Sequence, residues 1–232
     1  MFVVLMGPAA AGKSSIARRF SKEGIIINLD AATPSHAHID IRKWVRVEDI
    51  QKKYRLGING ALLKSMEIIA GMDEWIPSNL NKLKFVDTPG QLEIFLYHDF
   101  GRRIVEKIST MDTVVSVFIV DAQEIKSLEN YLAILAQNAI INLKLMVPSV
   151  TVINKVDMVE KERIRGYFDR EKIEEMIERG DALTSLARGL IEYVEYTSIE
   201  QRPLLVSAKT GEGMDDLYSA IHEAHCSCGD LS

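Results

Sequence analysis

The segment Gly7-Pro8-Ala9-Ala10-Ala11-Gly12-Lys13-Ser14 stands directly after the apolar run Phe2–Met6 and just before Ile16–Phe20, a stretch with helical spacing. This arrangement fits G-x-x-x-x-G-K-[ST] and restricts the fold severely. A loop that turns its N–H groups inward needs residues free to adopt unusual backbone angles, which Gly7 and Gly12 supply. Opening a helix from that loop brings the positive end of the helix dipole to the same place, so the site suits phosphate. Lys13 is expected to reach the β- and γ-phosphates, and the Ser14 hydroxyl to ligate Mg²⁺. The expected phosphate loop comprises Gly7, Pro8, Ala9, Ala10, Ala11, Gly12, Lys13, Ser14 and Ser15.

Further short apolar runs end on glycine, aspartate or asparagine: Ile25–Leu29, Leu83–Val86, Val114–Val120, Val150–Ile153 and Leu204–Val206. Continuous rather than alternating apolar character marks strands buried on both faces, as in a parallel sheet with helices between strands. The expected class is α/β: a P-loop NTPase three-layer sandwich with a mostly parallel six-stranded sheet and helical insertions. One domain is expected over 1–232, with insertions at about 31–82 and 158–201. The first insertion is expected to hold helices around Val47–Tyr54 and Ala61–Glu74. The charged stretches Glu160–Arg165 and Arg170–Arg179 in the second read as solvated helix faces.

Composition narrows the partners. A net charge of −5 argues against a general nucleic-acid binder. The only two cysteines, Cys226 and Cys228, make a disulfide framework unexpected and favour an intracellular address. Met1–Met6 lacks a basic leader, and Val114–Val120 is too short to cross a bilayer. A cytoplasmic chain with no membrane and no nucleic-acid partner is expected.

Three more motifs follow strands. Asp87-Thr88-Pro89-Gly90-Gln91 places Asp87 to hold the Mg²⁺ shell, the Gly90 N–H to sense a γ-phosphate, and Gln91 to position water. Asn154-Lys155-Val156-Asp157 selects the base. The Asp157 carboxylate can accept from guanine N1–H and N2–H₂; adenine offers neither donor. An unpaired carboxylate costs several kcal/mol, on the order of a hundredfold in affinity. Asn154 is expected to fix the loop, and the Lys155 stem to cover one purine face. Ser207-Ala208-Lys209 offers a backbone N–H to guanine O6. The series predicts GTP and GDP as ligands and argues against an ATPase or nucleotide kinase, for which an arginine-rich lid is also missing.

Several segments go further than these motifs. Asn28-Leu29-Asp30-Ala31-Ala32, Asp40-Ile41-Arg42, Val47-Glu48-Asp49-Ile50, Leu56-Gly57-Ile58-Asn59-Gly60-Ala61 and Asp87–Glu93 resemble, respectively, the N-L-D-P-A, D-I-R, V-E-D-V, G-P-N-G-A and D-T-P-G-Q-x-E segments of the GPN-loop GTPases. These are a homodimeric branch of the P-loop GTPases, of the SIMIBI class, and the chain resembles their archaeal type. The resemblance implies Mg²⁺-dependent hydrolysis of GTP to GDP and phosphate in a homodimer with composite sites. Asn59 would contact phosphate in the partner's site, while Asp30, Gln91 and Glu93 organise the attacking water. It also implies a nucleotide-dependent switch or assembly factor with a protein client, since eukaryotic members are linked to RNA polymerase assembly. A GTP-dependent binding module without appreciable turnover is the alternative. Ile58 replaces the name-giving proline, and Ala31 another; Ala10 and Ala11 fill positions often held by glycine or serine. Read from residue chemistry alone, Asp30 is also open to an N-cap role, Glu93 to capping the helix near Leu92, and Asn59-Gly60 to a turn before Ala61.

His222, His225, Cys226 and Cys228 bring four nitrogen and sulfur donors together, although C-x-C is not the usual zinc spacing. Arg102-Arg103 reads as a solvated pair, Trp44 and Trp75 as packing or interface residues, and His36 and His38 as loop histidines.

Overall fold

The computed structural model describes residues 1–78, 81–169, 185–190, 192 and 203–226. Its strands are β1 (Phe2–Met6), β2 (Gly24–Asn28), β3 (Ile39–Asp40), β4 (Leu83–Asp87), β5 (Val114–Asp121), β6 (Ser149–Asn154) and β7 (Leu204–Leu205). They form one seven-stranded sheet in the order β3-β2-β4-β1-β5-β6-β7. Every pairing is parallel. The helices are α1 (Lys13–Arg19), α2 (Val47–Tyr54), α3 (Ile58–Gly71), α4 (Leu92–Tyr97), α5 (Asp99–Ser109), α6 (Leu128–Leu145), α7 (Lys161–Gly166) and α8 (Met214–Cys226). A further helical piece covers 185–190.

The continuous apolar runs are explained by two cores, one on each sheet face. Phe2, Val4 and Met6 of β1 pack with residues of α2 to α6, whereas Val3 and Leu5 pack with Ile16 and Ala17 of α1 and Leu217 and Ile221 of α8. Side chains alternate along a strand, so a strand covered on both faces is apolar at most positions, with Lys84, Ser116 and Thr151 as buried polar exceptions. The three-layer arrangement is the expected one.

The sheet has seven strands, not six, and is wholly parallel. The unforeseen strand β3 is a two-residue edge, Ile27 opposite Ile39 and Asn28 opposite Asp40. Its hold comes from polar side chains: Asp40 accepts from Asn28 Nδ2 at 3.2 Å and from the Arg42 N–H at 2.9 Å. Such a strand carries no apolar run to betray it.

Helix α2 has the expected bounds, with Glu48 and Asp49 in its first turn and Lys52 and Lys53 in its last, both favourable to the helix dipole. Helix α3 starts earlier than Ala61 and ends before Glu74. Gly57 is its cap, so Asn59 and Gly60 lie in its first turn and not in a turn before it. Trp75 is fully buried and Trp44 exposed. In α7, Glu162, Arg163 and Arg165 face solvent around a buried Ile164, as a solvated face requires. Arg170–Arg179 lies outside the described residues. No described helix is long and apolar enough to cross a membrane.

Candidate functional site

The motifs converge because five strands end at one sheet edge. Met6 leads into Gly7, Asn28 into Asp30, Asp87 ends β4, Asn154 ends β6, and Ser207 follows β7. The carboxyl edge of a parallel sheet is where α/β folds gather ligands.

Gly7 has φ 147°, and a Cβ there would lie 2.1 Å from the Ile119 carbonyl oxygen. Gly12 has φ 100°, and its Cβ would lie 2.2 Å from Asn154 Nδ2. Neither position admits a side chain. Ala10, by contrast, is an alanine at φ 63°. Lys13 is buried and donates from Nζ to the carbonyls of Gly7 at 2.8 Å and Pro8 at 3.0 Å. Burial lowers its pKa, while the nearby carboxylates of Asp87 and Asp30 act to raise it.

Ser14 Oγ donates to Asp87 Oδ2 at 2.5 Å. Asp87 is 3% exposed. Burial pushes its pKa up, against the Ser14 hydrogen bond and the charge of Lys13. Two oxygen donors at one point, one of them a buried carboxylate, are the donor set that a hard divalent cation takes. The residues present therefore fit Mg²⁺. The following turn is tied down by Thr88 Oγ1, which donates to the Leu5 carbonyl at 2.8 Å. A Cβ on Gly90 would come within 3.1 Å of Ala9 Cβ, so this turn lies against the phosphate loop.

Asp30, Gly90 and Gln91 line one cavity of about 210 Å³ with Ala9 and with Leu62, Ser65 and Met66 of α3. Asp30 Oδ1 accepts from the N–H groups of Ala32 at 2.9 Å and Thr33 at 3.2 Å. It thus caps a loop and not a helix. Glu93 and Asn59 are not in this lining. Both are exposed, in the first turns of α4 and α3.

The Asn154–Asp157 and Ser207–Lys209 loops are joined by side chains. Asn154 donates from Nδ2 to the Ala11 carbonyl at 2.9 Å and accepts on Oδ1 from the Ala208 N–H at 3.0 Å. It is 1% exposed with both ends of its amide used. Lys155 takes the left-handed conformation at φ 65°, and its Nζ meets Asp121 Oδ2 at 2.6 Å. Asp157 accepts from Ser207 Oγ at 2.6 Å, and this bond holds the carboxyl below its ordinary pKa. The Val156 N–H donates to the Val206 carbonyl at 3.2 Å.

Two contributors escaped the sequence reading. Asp121 ends β5 at the same edge, the signal already carried by Asp30 and Asp87. Arg19, at the end of α1, gave no signal of its own; its guanidinium reaches the carbonyls of Ala208 and Lys209. Arg102 pairs with Glu106 at 2.7 Å on an exposed face, and Arg103 is also exposed. His38 Nδ1 accepts from the Ile26 N–H at 3.0 Å. No group of three or more metal-binding side chains occurs among the described residues. Cys228 and the side chains of His225 and Cys226 lie outside them.

Comparison with known proteins agrees with this geometry. Residues 5–227 match a family described as "Conserved hypothetical ATP binding protein". A GPN-loop GTPase of Pyrococcus abyssi, PAB0955, is 32% identical with all of both chains covered. The Arabidopsis thaliana GPN-loop GTPase QQT2 is 30% identical over 94% of this chain and 62% of its own. The crystal structure of PAB0955 in its apo form superposes with a TM-score of 0.75 at 28% identity, covering 98% of each chain. The family description says ATP while these relatives are named GTPases, and the Asn154–Asp157 loop agrees with the latter. The chain belongs to the GPN-loop GTPases, and its enzymatic activity is that of a GTPase.

Proposed function

We propose that this GTPase works in the cytoplasm as a Mg²⁺-dependent homodimer with composite sites, and that GTP hydrolysis switches its hold on a protein client. The observation that carries the catalytic part is the Ser14–Asp87 contact of 2.5 Å beside the buried Lys13. Bound there, Mg²⁺ would neutralise charge on the phosphates. Lys13 and backbone N–H groups of the phosphate loop hold the phosphate oxygens. On triphosphate binding, Lys13 Nζ exchanges the Gly7 and Pro8 carbonyls for phosphate oxygen.

Phosphoryl transfer depends chiefly on positioning and charge stabilisation. Gln91 and Asp30, which share the cavity against Ala9, orient the water. Asp30 Oδ1 is engaged by two backbone N–H groups, so the carboxylate is held in one orientation. Glu93 acts from the first turn of α4. Asn154, Lys155 and Asp157 take the guanine with Ser207, Ala208 and Lys209.

The dimer is supported by the exposure of Gly57, Ile58 and Asn59 at the tip of α3. The same helix lines the cavity one turn further on, through Leu62. A second copy would bring Asn59 to the phosphates and cover Ile58, which is 53% exposed.

The test is phosphate release from GTP and from ATP, with Mg²⁺ or EDTA, over a wide range of protein concentration. The expected result is GTP turnover alone, abolished by EDTA, with a per-subunit rate that rises and saturates. Asn59→Ala should lose the rate without losing GTP binding. A rate independent of concentration, from a chain that sizes as a monomer, would refute the composite site.

A further inference from the structure

The geometry points to Arg19 as the positioning residue for guanine recognition, holding the Ala208–Lys209 peptide from the phosphate-loop helix. This rests on the base-site reading given above. Arg19 Nε donates to the Ala208 carbonyl at 2.6 Å, and Nη2 donates to the Lys209 carbonyl. A planar guanidinium presents such parallel donors in a fixed fork, so it fixes the orientation of both carbonyls together. A lysine, a single point of charge, cannot do the same.

The Ala208 residue is thereby pinned on both sides. Its N–H goes to Asn154 Oδ1 at 3.0 Å and its C=O to Arg19. No cis peptide occurs among the described residues, so each N–H points opposite its peptide's C=O. Turning the Ala208 carbonyl toward Arg19 therefore turns the Lys209 N–H away from α1. Other bonds close the loop around Ser207, from the Thr210 N–H to its Oγ at 3.1 Å and from the Gly211 N–H to its carbonyl at 2.8 Å, whereas the carbonyls of Ala208 and Lys209 are held by Arg19. Lys209 carries a side chain 84% exposed, and Gly211 at φ 93° lies close enough that its Cβ would touch Arg19 Nη1 at 3.4 Å. Releasing Arg19 frees the peptide that must meet O6.

The placement of Arg19 adds a coupling. Lys13 and Ser14 begin the helix that Arg19 ends. The seven-residue α1 thus links the groups for phosphate and Mg²⁺ to the loop for the base. Arg18 strengthens the helix from the same turn, donating from Nε to the Ser14 carbonyl at 3.1 Å.

Binding of GTP and of 6-thio-GTP tests the assignment, because sulfur at position 6 is a poor acceptor while N1–H and N2–H₂ are kept. Arg19→Ala should weaken GTP about tenfold and 6-thio-GTP less than twofold, with KM for GTP rising in step and kcat nearly unchanged. Arg19→Lys should show the same selective loss in a chain with normal thermal stability. Equal losses for both nucleotides, or no loss for either, would overturn the role of Arg19. Asp157→Asn is the control for the underlying reading and should exchange GTP for xanthosine triphosphate. If it leaves GTP binding unchanged, the base site itself is misassigned and the Arg19 assignment falls with it. If that exchange occurs while Arg19→Ala keeps the GTP preference, Arg19 alone is refuted.

Discussion

Asn154 Nδ2 donates to the Ala11 carbonyl at 2.9 Å, joining the end of β6 to the phosphate loop across 143 positions of chain. The bond is buried and the other end of the same amide accepts from Ala208. Asn154→Asp would set a carboxylate oxygen against the Ala11 carbonyl, two acceptors with no proton between them. The expected cost is about 2–3 kcal/mol of stability, because a buried acceptor left unpaired loses its solvation. Urea unfolding would read this, and a GDP titration of the same variant should show weakened binding.

The phosphate loop holds two glycines that its neighbours require and one alanine that they do not. Gly7→Ala would drive Cβ to 2.1 Å from the backbone oxygen of Ile119, which cannot swing aside. The expected loss is about 3 kcal/mol or more, since overpacking is compounded by strained φ. Ala10 already stands at φ 63°. Ala10→Gly relieves a strain of about 1–2 kcal/mol and returns part of it to the more flexible unfolded chain. Thermal melts should place Ala10→Gly slightly above the parent and Gly7→Ala far below it. An Ala10→Gly chain that melts lower would contradict the strain.

Ile58 occupies the first position of α3, after the cap Gly57. The first hydrogen bond of that helix runs from the Ala61 N–H to the Gly57 carbonyl at 2.9 Å, so the Ile58 N–H is not needed by the helix. Proline is favoured at that position for the same reason. Ile58→Pro should be accepted with a gain of about 0.5 kcal/mol, drawn from the unfolded chain. Chemical denaturation would measure it, and a large loss would place the start of α3 elsewhere.

At the opposite sheet edge, the fully buried Lys84 of β4 donates to Asp112 Oδ2 at 2.7 Å, where the Met1 ammonium also bonds. Partial burial alone would raise the Asp112 pKa; the bonds and charges of Lys84 and the N-terminus overcome it and hold the carboxyl at about 2. A carboxyl whose pKa is lower folded than unfolded stabilises the fold above the unfolded value near 4. That contribution disappears as pH falls through about 2. With the carboxylate partly exposed, it is worth about 1–2 kcal/mol after allowance for solvent screening. Asp112→Asn should remove this acid-side dependence between pH 4 and 2 and cost about 2 kcal/mol at neutral pH, by removing the carboxylate that the Lys84 and Met1 ammonium groups share. Urea midpoints across that range, compared between the two chains, would decide it.

The order of the motifs was legible because each is local: an apolar run, then a glycine, aspartate or asparagine, then helical spacing. Strands buried on both faces show mostly apolar runs, and β1, β2, β4, β5 and β6 are legible in this way. The polar groups of Lys13, Ser14, Asp87, Asn154 and Asp157 follow from residue chemistry at those strand ends. Parallel connection then brings them to one edge whatever the order of strands, which is why the chain's type of site could be read before its structure.

What the fold decided are relations between distant residues. The strand order β3-β2-β4-β1-β5-β6-β7 sets which ends are neighbours, and no local pattern encodes it. It puts Asn154 beside Ala11, Arg19 beside Ala208, and Lys84 beside Asp112. The edge strand β3 depends on polar bonds to Asp40, and the start of α3 on a glycine cap, neither of which has an apolar period to reveal it. Sequence fixes the chemistry available at each strand end, because that is a property of residue type and spacing. Only packing in three dimensions determines which of those groups share a hydrogen bond, because such a bond forms between atoms brought within about 3 Å and not between positions in a chain.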